Sequence, residues 1–383
     1  MTALLVAFAA ALGAIVGSFA NVVVYRLPRG ESVAYPGSRC PHCGRRLSAI
    51  DLVPVLSWVF LRGRCRTCHA PISVRYPLVE LLMAALFVVL VAVFSPILHG
   101  PAVLPLLVAV AMLVMAALID LERYVLPDVL TLPALVVVLL GSFLWRSVEG
   151  LPDPLEALAG ALAGAGVLVL INRVGGLVLR RLSDTAERLW PLSLDQVNVA
   201  AVVGAAFGVW PGLLAGLGSV LLNLVTRRTL RLPEPLLYGL WLLALVLSSL
   251  GFPVPITTAV AGSVMAAGAW ALVGAVYWWL HDVVRGEDAS AEAESPGEEE
   301  AEPVAMGFGD VKLAAVLGAF LGWEKLLVAI FLAVTIGAVG GVIARVAGGS
   351  RLVPFGPYLL LGGLVSLLVG GGIIDWYLGM LGQ

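Results

Sequence analysis

Charge is what this sequence has least of. Only 13% of its 383 residues are Asp, Glu, Lys or Arg, while 60% are hydrophobic and the mean hydropathy is +1.02. A soluble domain of this length needs far more polar surface to cover its core, so that class is excluded. Long polar stretches are equally scarce. Apolar runs long enough to cross a bilayer recur along the chain, which makes it a polytopic membrane protein. The first run lacks a basic flank at its start and is too long for a secretory signal, which excludes a cleaved leader. Cysteine is nearly absent: there are four, all in one loop. The net charge of -2 carries no information about partners, and no nucleic-acid partner is expected.

Backbone inside lipid must satisfy its own hydrogen bonds, so the expected fold is all-α, a multi-helix membrane bundle. Single spans are expected near 3–25, 77–96, 101–119, 128–145, 154–172, 235–251, 255–280 and 355–373. The stretches 196–226 and 311–346 each read as a helical pair. Their breaks are expected at Trp210-Pro211-Gly212 and at Gly322-Trp323-Glu324. This gives twelve segments, two short ones being spanning or re-entrant. Arg26, Arg29, Arg39, Arg45, Arg46, Arg62, Arg64, Arg66 and Arg75 crowd the first long loop, against only Glu31 and Asp51. The positive-inside rule makes that loop cytoplasmic and the N-terminus external. Arg173, Arg180, Arg181, Arg188, Arg227, Arg228, Arg231, Arg285, Arg345 and Arg351 then fall inside, with only Arg146 and Lys325 outside. Residues 286–303, with eight acids among Ala, Ser, Pro and Gly, read as a disordered acidic linker.

The four cysteines form two knuckles, Cys40-Pro-His-Cys43 and Cys65-Arg-Thr-Cys68, separated by 21 residues. Each knuckle can aim two thiolates at one tetrahedral zinc ion. The loop is too short for a large core, so a metal would supply much of its folding energy. The alternative is a pair of disulfides, which a reducing cytoplasm opposes. His42 and His69 are expected beside the site or at the surface, since four thiolates complete it.

Ionisable groups at the ends of membrane helices carry the functional signal. Asp120 ends the third span, where it meets the cytoplasmic face. Asp310 opens a later helix at the same face, behind Gly307 and Gly309, whose small size permits a tight entry turn. There the helix dipole favours a negative charge. One acid at a helix end is ordinarily a cap or an anchor. Two at one depth can share a proton: one activates water while the other polarises a scissile carbonyl.

In this order the motifs are specific. The stretches are "GSFANVVVYRLPRG" (Gly17 to Gly30), the two knuckles, "RYPLVELL" (Arg75 to Leu82), "IDLERYVLPDVLTLP" (Ile119 to Pro133) and "GFGDVKLAAVLGAFLGW" (Gly307 to Trp323). The chain resembles the type 4 prepilin peptidases, a branch of the GxGD membrane aspartic proteases, over roughly 1–175 and 304–375. The resemblance implies Asp120 and Asp310 as the catalytic pair. Its substrates would be type IV prepilins and pseudopilins with short basic leaders, cleaved at the cytoplasmic face of a bacterial inner membrane. It also implies, for many members with the cysteine loop, methylation of the new N-terminus by S-adenosylmethionine. Asp128, in the Leu-Pro-Asp signature, reads as a structural acid or cap, the alternative being that it is the catalytic acid in place of Asp120. Lys312 is expected to meet lipid headgroups or a nearby carboxylate, and Glu80 to pair with Arg75 or face the site. The rival readings are a membrane transporter or assembly scaffold, whose acids would lie near the midplane, and a related GxGD protease with other membrane substrates.

The chain departs from the family pattern in length. Between Asp120 and Asp310 lie 189 residues, more than one helical pair needs. The excess reads as a decayed internal copy, the alternative being chance similarity between two Gly/Ala-rich apolar segments. Ala200-Ala201 matches Ala314-Ala315, Gly204 matches Gly318, Gly208 matches Gly322, Arg231-Leu232 matches Arg351-Leu352, and Tyr238 matches Tyr358. Gln196 then stands where Asp310 stands, and Asn198 where Lys312 does. The expected organisation is a first membrane helix (1–26), a cytoplasmic zinc-binding loop (27–76), helices carrying the first aspartate (77–175), an extra module (176–285), the acidic linker (286–303), and a module carrying the second aspartate (304–383).

Overall fold

The computed structural model describes residues 3–95, 100–146, 148, 150–178, 190–229, 232–285, 307–346 and 353–380. The acidic linker, Arg180, Arg181, Arg188, Arg231 and Arg351 lie outside them. Among the described residues there are helices and no strand. The long loop holds two isolated antiparallel bridges, Arg39 with Arg46 and Arg64 with Pro71. In chain order the helices are α1 (Ala3–Arg26), α2 (Leu56–Phe60), α3 (Arg75–Phe94), α4 (Leu104–Arg123), α5 (Asp128–Gly141) and α6 (Pro154–Val178). Then come α7 (Leu194–Phe207), α8 (Val209–Thr226), α9 (Glu234–Ser249), α10 (Ile256–Arg285), α11 (Phe308–Val346) and α12 (Phe355–Met380). Eight candidate spans are long and apolar enough to cross a membrane: α1, α3, α4, α6, α8, α10, α11 and α12. The helices α5, α7 and α9 are apolar but shorter.

The described residues form two compact units, one ending at Leu130 and the other starting at Thr131. In the first, α1 packs on α3 because Gly13 and Gly17 present no side chain. A Cβ on Gly17 would lie 2.7 Å from the Cα of Glu80. Buried Asn21 closes the contact by donating from Nδ2 to the carbonyls of Gly17 and Tyr76, both at 3.2 Å.

The second unit is built on glycine contacts that come in matched pairs. A Cβ on Gly318 of α11 would collide with the carbonyl of Gly160 on α6; one on Gly204 of α7 would collide with that of Gly262 on α10. Where α6 meets α10, Gly166 abuts the Val264 carbonyl and Gly268 abuts that of Leu162. Small residues let backbones approach closely, which is how helices associate inside lipid. Trp145, fully buried, meets Phe320 edge-on with ring centroids 6.0 Å apart.

Helix α11 is broken at Gly322 (φ 75°, ψ 167°), as the sequence led one to expect. The companion break lies at Gly208 (φ 94°, ψ -179°), not at Trp210-Pro211-Gly212. Pro211 falls in the first turn of α8, where a missing N–H costs nothing, so it starts the helix instead of breaking it.

Candidate functional site

The two cysteine knuckles fold alike. Cys40 N–H donates to the Arg45 carbonyl and Gly44 N–H to that of Cys40, both at 2.9 Å. Cys65 N–H donates to Ala70 at 2.9 Å, and His69 N–H to Cys65 at 3.0 Å. Gly44 and His69 occupy the same left-handed position, φ 67° and 56°. All four Sγ atoms lie within 4.8 Å of one another, and Cys40 and Cys68 are 3.8 Å apart. Tetrahedral zinc with bonds of about 2.3 Å sets thiolates about 3.8 Å apart. The quartet therefore fits a zinc ion, and the cysteines are free, which removes the disulfide alternative. His42 and His69 are exposed and outside the quartet. Backbone N–H groups of Cys68 and Thr67 hold the Cys65 thiol down to about 6, while the Ala70 backbone bond to Cys68 is outweighed by burial and the neighbouring thiols, which push that thiol up to about 11.

Asp51 ties the loop together. Its carboxylate accepts from Ser48 Oγ at 2.7 Å and Ser48 N at 3.1 Å, and meets Arg66 at 2.8 Å and Arg45 at 3.3 Å. The Ser48 hydroxyl and N–H, then the two guanidiniums, hold Asp51 below the usual carboxylate range. Glu80 corrects one expectation. It is buried on α3 and its Oε2 accepts the Val55 N–H at 2.7 Å, while Arg75 pairs with Glu122 of α4. Five residues along a helix put Arg75 and Glu80 on different faces, so they cannot meet side by side.

Asp120 is buried in the last turn of α4. The helix stops there because Tyr124 turns left-handed (φ 58°) and its N–H bonds the Asp120 carbonyl at 2.8 Å. Asp128 is half-buried at the first position of α5, behind Pro127. Asp310 is buried in the first turn of α11, its N–H bonded to the Gly307 carbonyl at 3.2 Å. A Cβ on Gly307 would lie 3.7 Å from Asp310 Oδ2. Lys312 is buried, with Nζ 5.7 Å from the Phe308 ring centroid, which corrects its expected place among lipid headgroups.

At the start of α7, Ser193 and Gln196 form a capping box: Ser193 N–H donates to Gln196 Oε1 at 2.7 Å. Ser193-x-x-Gln196 is a capping-box signature written in the sequence itself. Asn198 accepts from Arg173 Nε at 3.4 Å, and Arg173 pairs with Glu234 at 3.2 Å.

These features match known proteins. The model described as the Bacterial Peptidase A24 N-terminal domain covers residues 11–94. The model of the Type IV leader peptidase family matches twice, over 107–226 and 227–342. The chain belongs to the type IV leader peptidase family. A prepilin leader peptidase/N-methyltransferase of Aeromonas hydrophila is 30% identical over 95% of this chain and 90% of its own. One from Burkholderia pseudomallei is 29% identical over 96% and 87%. One from Dickeya chrysanthemi is 34% identical over 63% and 92%. No solved structure matches. Membership of a leader peptidase family favours an enzyme over the transporter or scaffold reading.

Proposed function

We propose that this protein is a membrane aspartic endopeptidase that removes the leader peptides of type IV prepilins and pseudopilins at the cytoplasmic face of a bacterial inner membrane. Family membership carries the reading, and the burial of Asp120 and Asp310 at helix ends supports the choice of pair. In this reading one aspartate takes a proton from water as it attacks the scissile carbonyl. The other gives its proton to the carbonyl oxygen, and the departing amine collects a proton as the tetrahedral species collapses. Gly307 and Gly309 shape the turn before Asp310. Asp128 and Lys312 support the two motifs.

Methylation of the new N-terminus is proposed from the relatives' printed names. S-adenosylmethionine would supply an electrophilic methyl group. The cleft lined by Ser73, Arg75, Leu82 and Leu118 carries one hydroxyl and one cation, the latter paired with Glu122, among apolar walls. Zinc in the four-cysteine site would be structural, since four thiolates leave no open position. The arginine-rich loop and the N-terminus are assigned to the cytoplasmic and outer sides by the positive-inside rule.

The segment 176–285 is read as an extra module, a diverged copy of the one that carries Asp310. Equivalent backbone breaks at Gly208 and Gly322 and the equivalent close contacts of Gly204 and Gly318 support that. The test of function is incubation of the purified chain with a prepilin, with and without S-adenosylmethionine. Mass spectrometry should show loss of the leader in both and one added methyl group only with the donor. An intact substrate would refute the peptidase.

A further inference from the structure

Between the two cysteine knuckles the loop carries apolar side chains that its own core does not use. Ile50, Leu52, Val53, Leu56, Val59 and Phe60 are all exposed, Phe60 to 81%. Trp58 of α2 does the opposite: its Nε1 donates to the Ile72 carbonyl at 3.1 Å and its ring covers Gly63. So α2 spends its aromatic indole on the loop core and leaves its aliphatic residues outside. Six large apolar side chains exposed within eleven residues are more than a water-facing loop keeps without a partner.

Depth identifies that partner. Val55, just before α2, is held by Glu80 Oε2 through its N–H at 2.7 Å. Glu80 lies five residues into α3, about 7.5 Å along the helix from Arg75. The start of α2 is therefore level with the first turns of a membrane helix, the depth of headgroups and the acyl boundary. Charge points the same way. Arg62 and Arg64 follow α2 and are exposed, while the loop acid Asp51 is engaged by Arg45 and Arg66. A basic surface attracts anionic lipid and repels a basic leader peptide.

We infer that the segment Ile50–Phe60 is an interfacial foot. It seats Leu56, Val59 and Phe60 in the bilayer boundary next to α3, while the neighbouring arginines bind anionic headgroup phosphates. The foot holds the metal-binding loop flat against the membrane surface. A substrate helix resting on the same residues is the competing occupant.

Two measurements on the full chain test this. In the first, Phe60 is replaced by p-benzoylphenylalanine and the protein is placed in phosphatidylethanolamine vesicles with or without phosphatidylglycerol. Irradiation should give mainly lipid adducts, in a yield that rises with phosphatidylglycerol and falls with salt, and that added prepilin does not reduce. Adducts chiefly to prepilin, or to another part of this chain, would overturn the proposal. The second uses the unaltered protein, so it does not depend on the variant folding. Amide hydrogen exchange across residues 50–60 should be slower in phosphatidylglycerol vesicles than in detergent. Equal exchange in both would overturn it too.

Discussion

Replacing a carboxylate by its amide keeps the shape of the side chain and removes its proton traffic. Asp120→Asn and Asp310→Asn should therefore each lower prepilin cleavage by on the order of 10³-fold while leaving membrane insertion intact. Cleavage near the normal rate in either variant would refute the assignment. Asp128 opens α5 at the surface of its helix, half-buried, and Asp128→Asn should keep most of the activity. If only that variant is dead, the pair must be redrawn with Asp128 in it. At this scale the sequence speaks wherever a motif is local: the neighbours of Asp120 and Asp310 are what single them out as the proposed pair. The bond from Val55 to Glu80 was not legible, because it joins residues 25 apart through a tertiary contact. Pairing Glu80 with Arg75 looked natural only while helix faces were ignored.

The cysteine loop is an element whose stability depends on what it binds. Its two knuckles repeat one hydrogen-bond pattern, and Asp51 bridges Ser48, Arg45 and Arg66. Replacing Cys40 and Cys43 by Ser should lower bound zinc from about one per chain to none, read by metal analysis, and expose the loop to protease. Acid should separate the two devices. Asp51 has a depressed pKa in the folded loop, so its contribution is complete above the unfolded value of about 3.9 and is lost only as pH falls through the folded one. Protons compete with zinc for thiolates at higher pH than that. Between about pH 7 and pH 5 zinc should leave while Asp51 is still ionised, seen as metal loss by metal analysis at pH values where the Asp51 carboxylate has not yet titrated by NMR. The knuckles could be read from sequence because CxxC is a contiguous signal. The break at Gly208 could not be placed by turn propensity. Trp210-Pro211-Gly212 looks like a turn, yet proline fits the first turn of α8 and glycine at positive φ makes the actual break.

At the scale of the whole molecule, the extra module decides which acids matter. Hydropathy made the helices legible, since each span must bury its backbone hydrogen bonds in lipid. The proposed repeat rests on its glycines, because Gly204 and Gly318 take equivalent close contacts and a Cβ on either would meet a backbone carbonyl. What the sequence did not reveal is how the module spends its polar groups. Gln196 stands where Asp310 stands, but its side chain closes a capping box on Ser193. Gly307 at the matching position has no hydroxyl to offer Asp310. Asp195, one residue earlier, shares the first turn of α7 and bonds the Ser193 hydroxyl at 3.2 Å. Asp195 is nearer Asp120 along the chain than Asp310 is, which makes it the rival second aspartate. Against that, no glycine pair shapes its turn, since Pro191-Leu192-Ser193-Leu194 precedes it, and Ser193 engages its carboxylate. Asp195→Asn should therefore leave the cleavage rate within about twofold of normal, because the amide still accepts from the Ser193 hydroxyl and keeps the shape of the half-buried side chain. Assayed beside Asp310→Asn on the same prepilin, it separates the two pairings directly. An inactive Asp195→Asn with an active Asp310→Asn would move the second aspartate into the extra module and make the module carrying GxGD the spare.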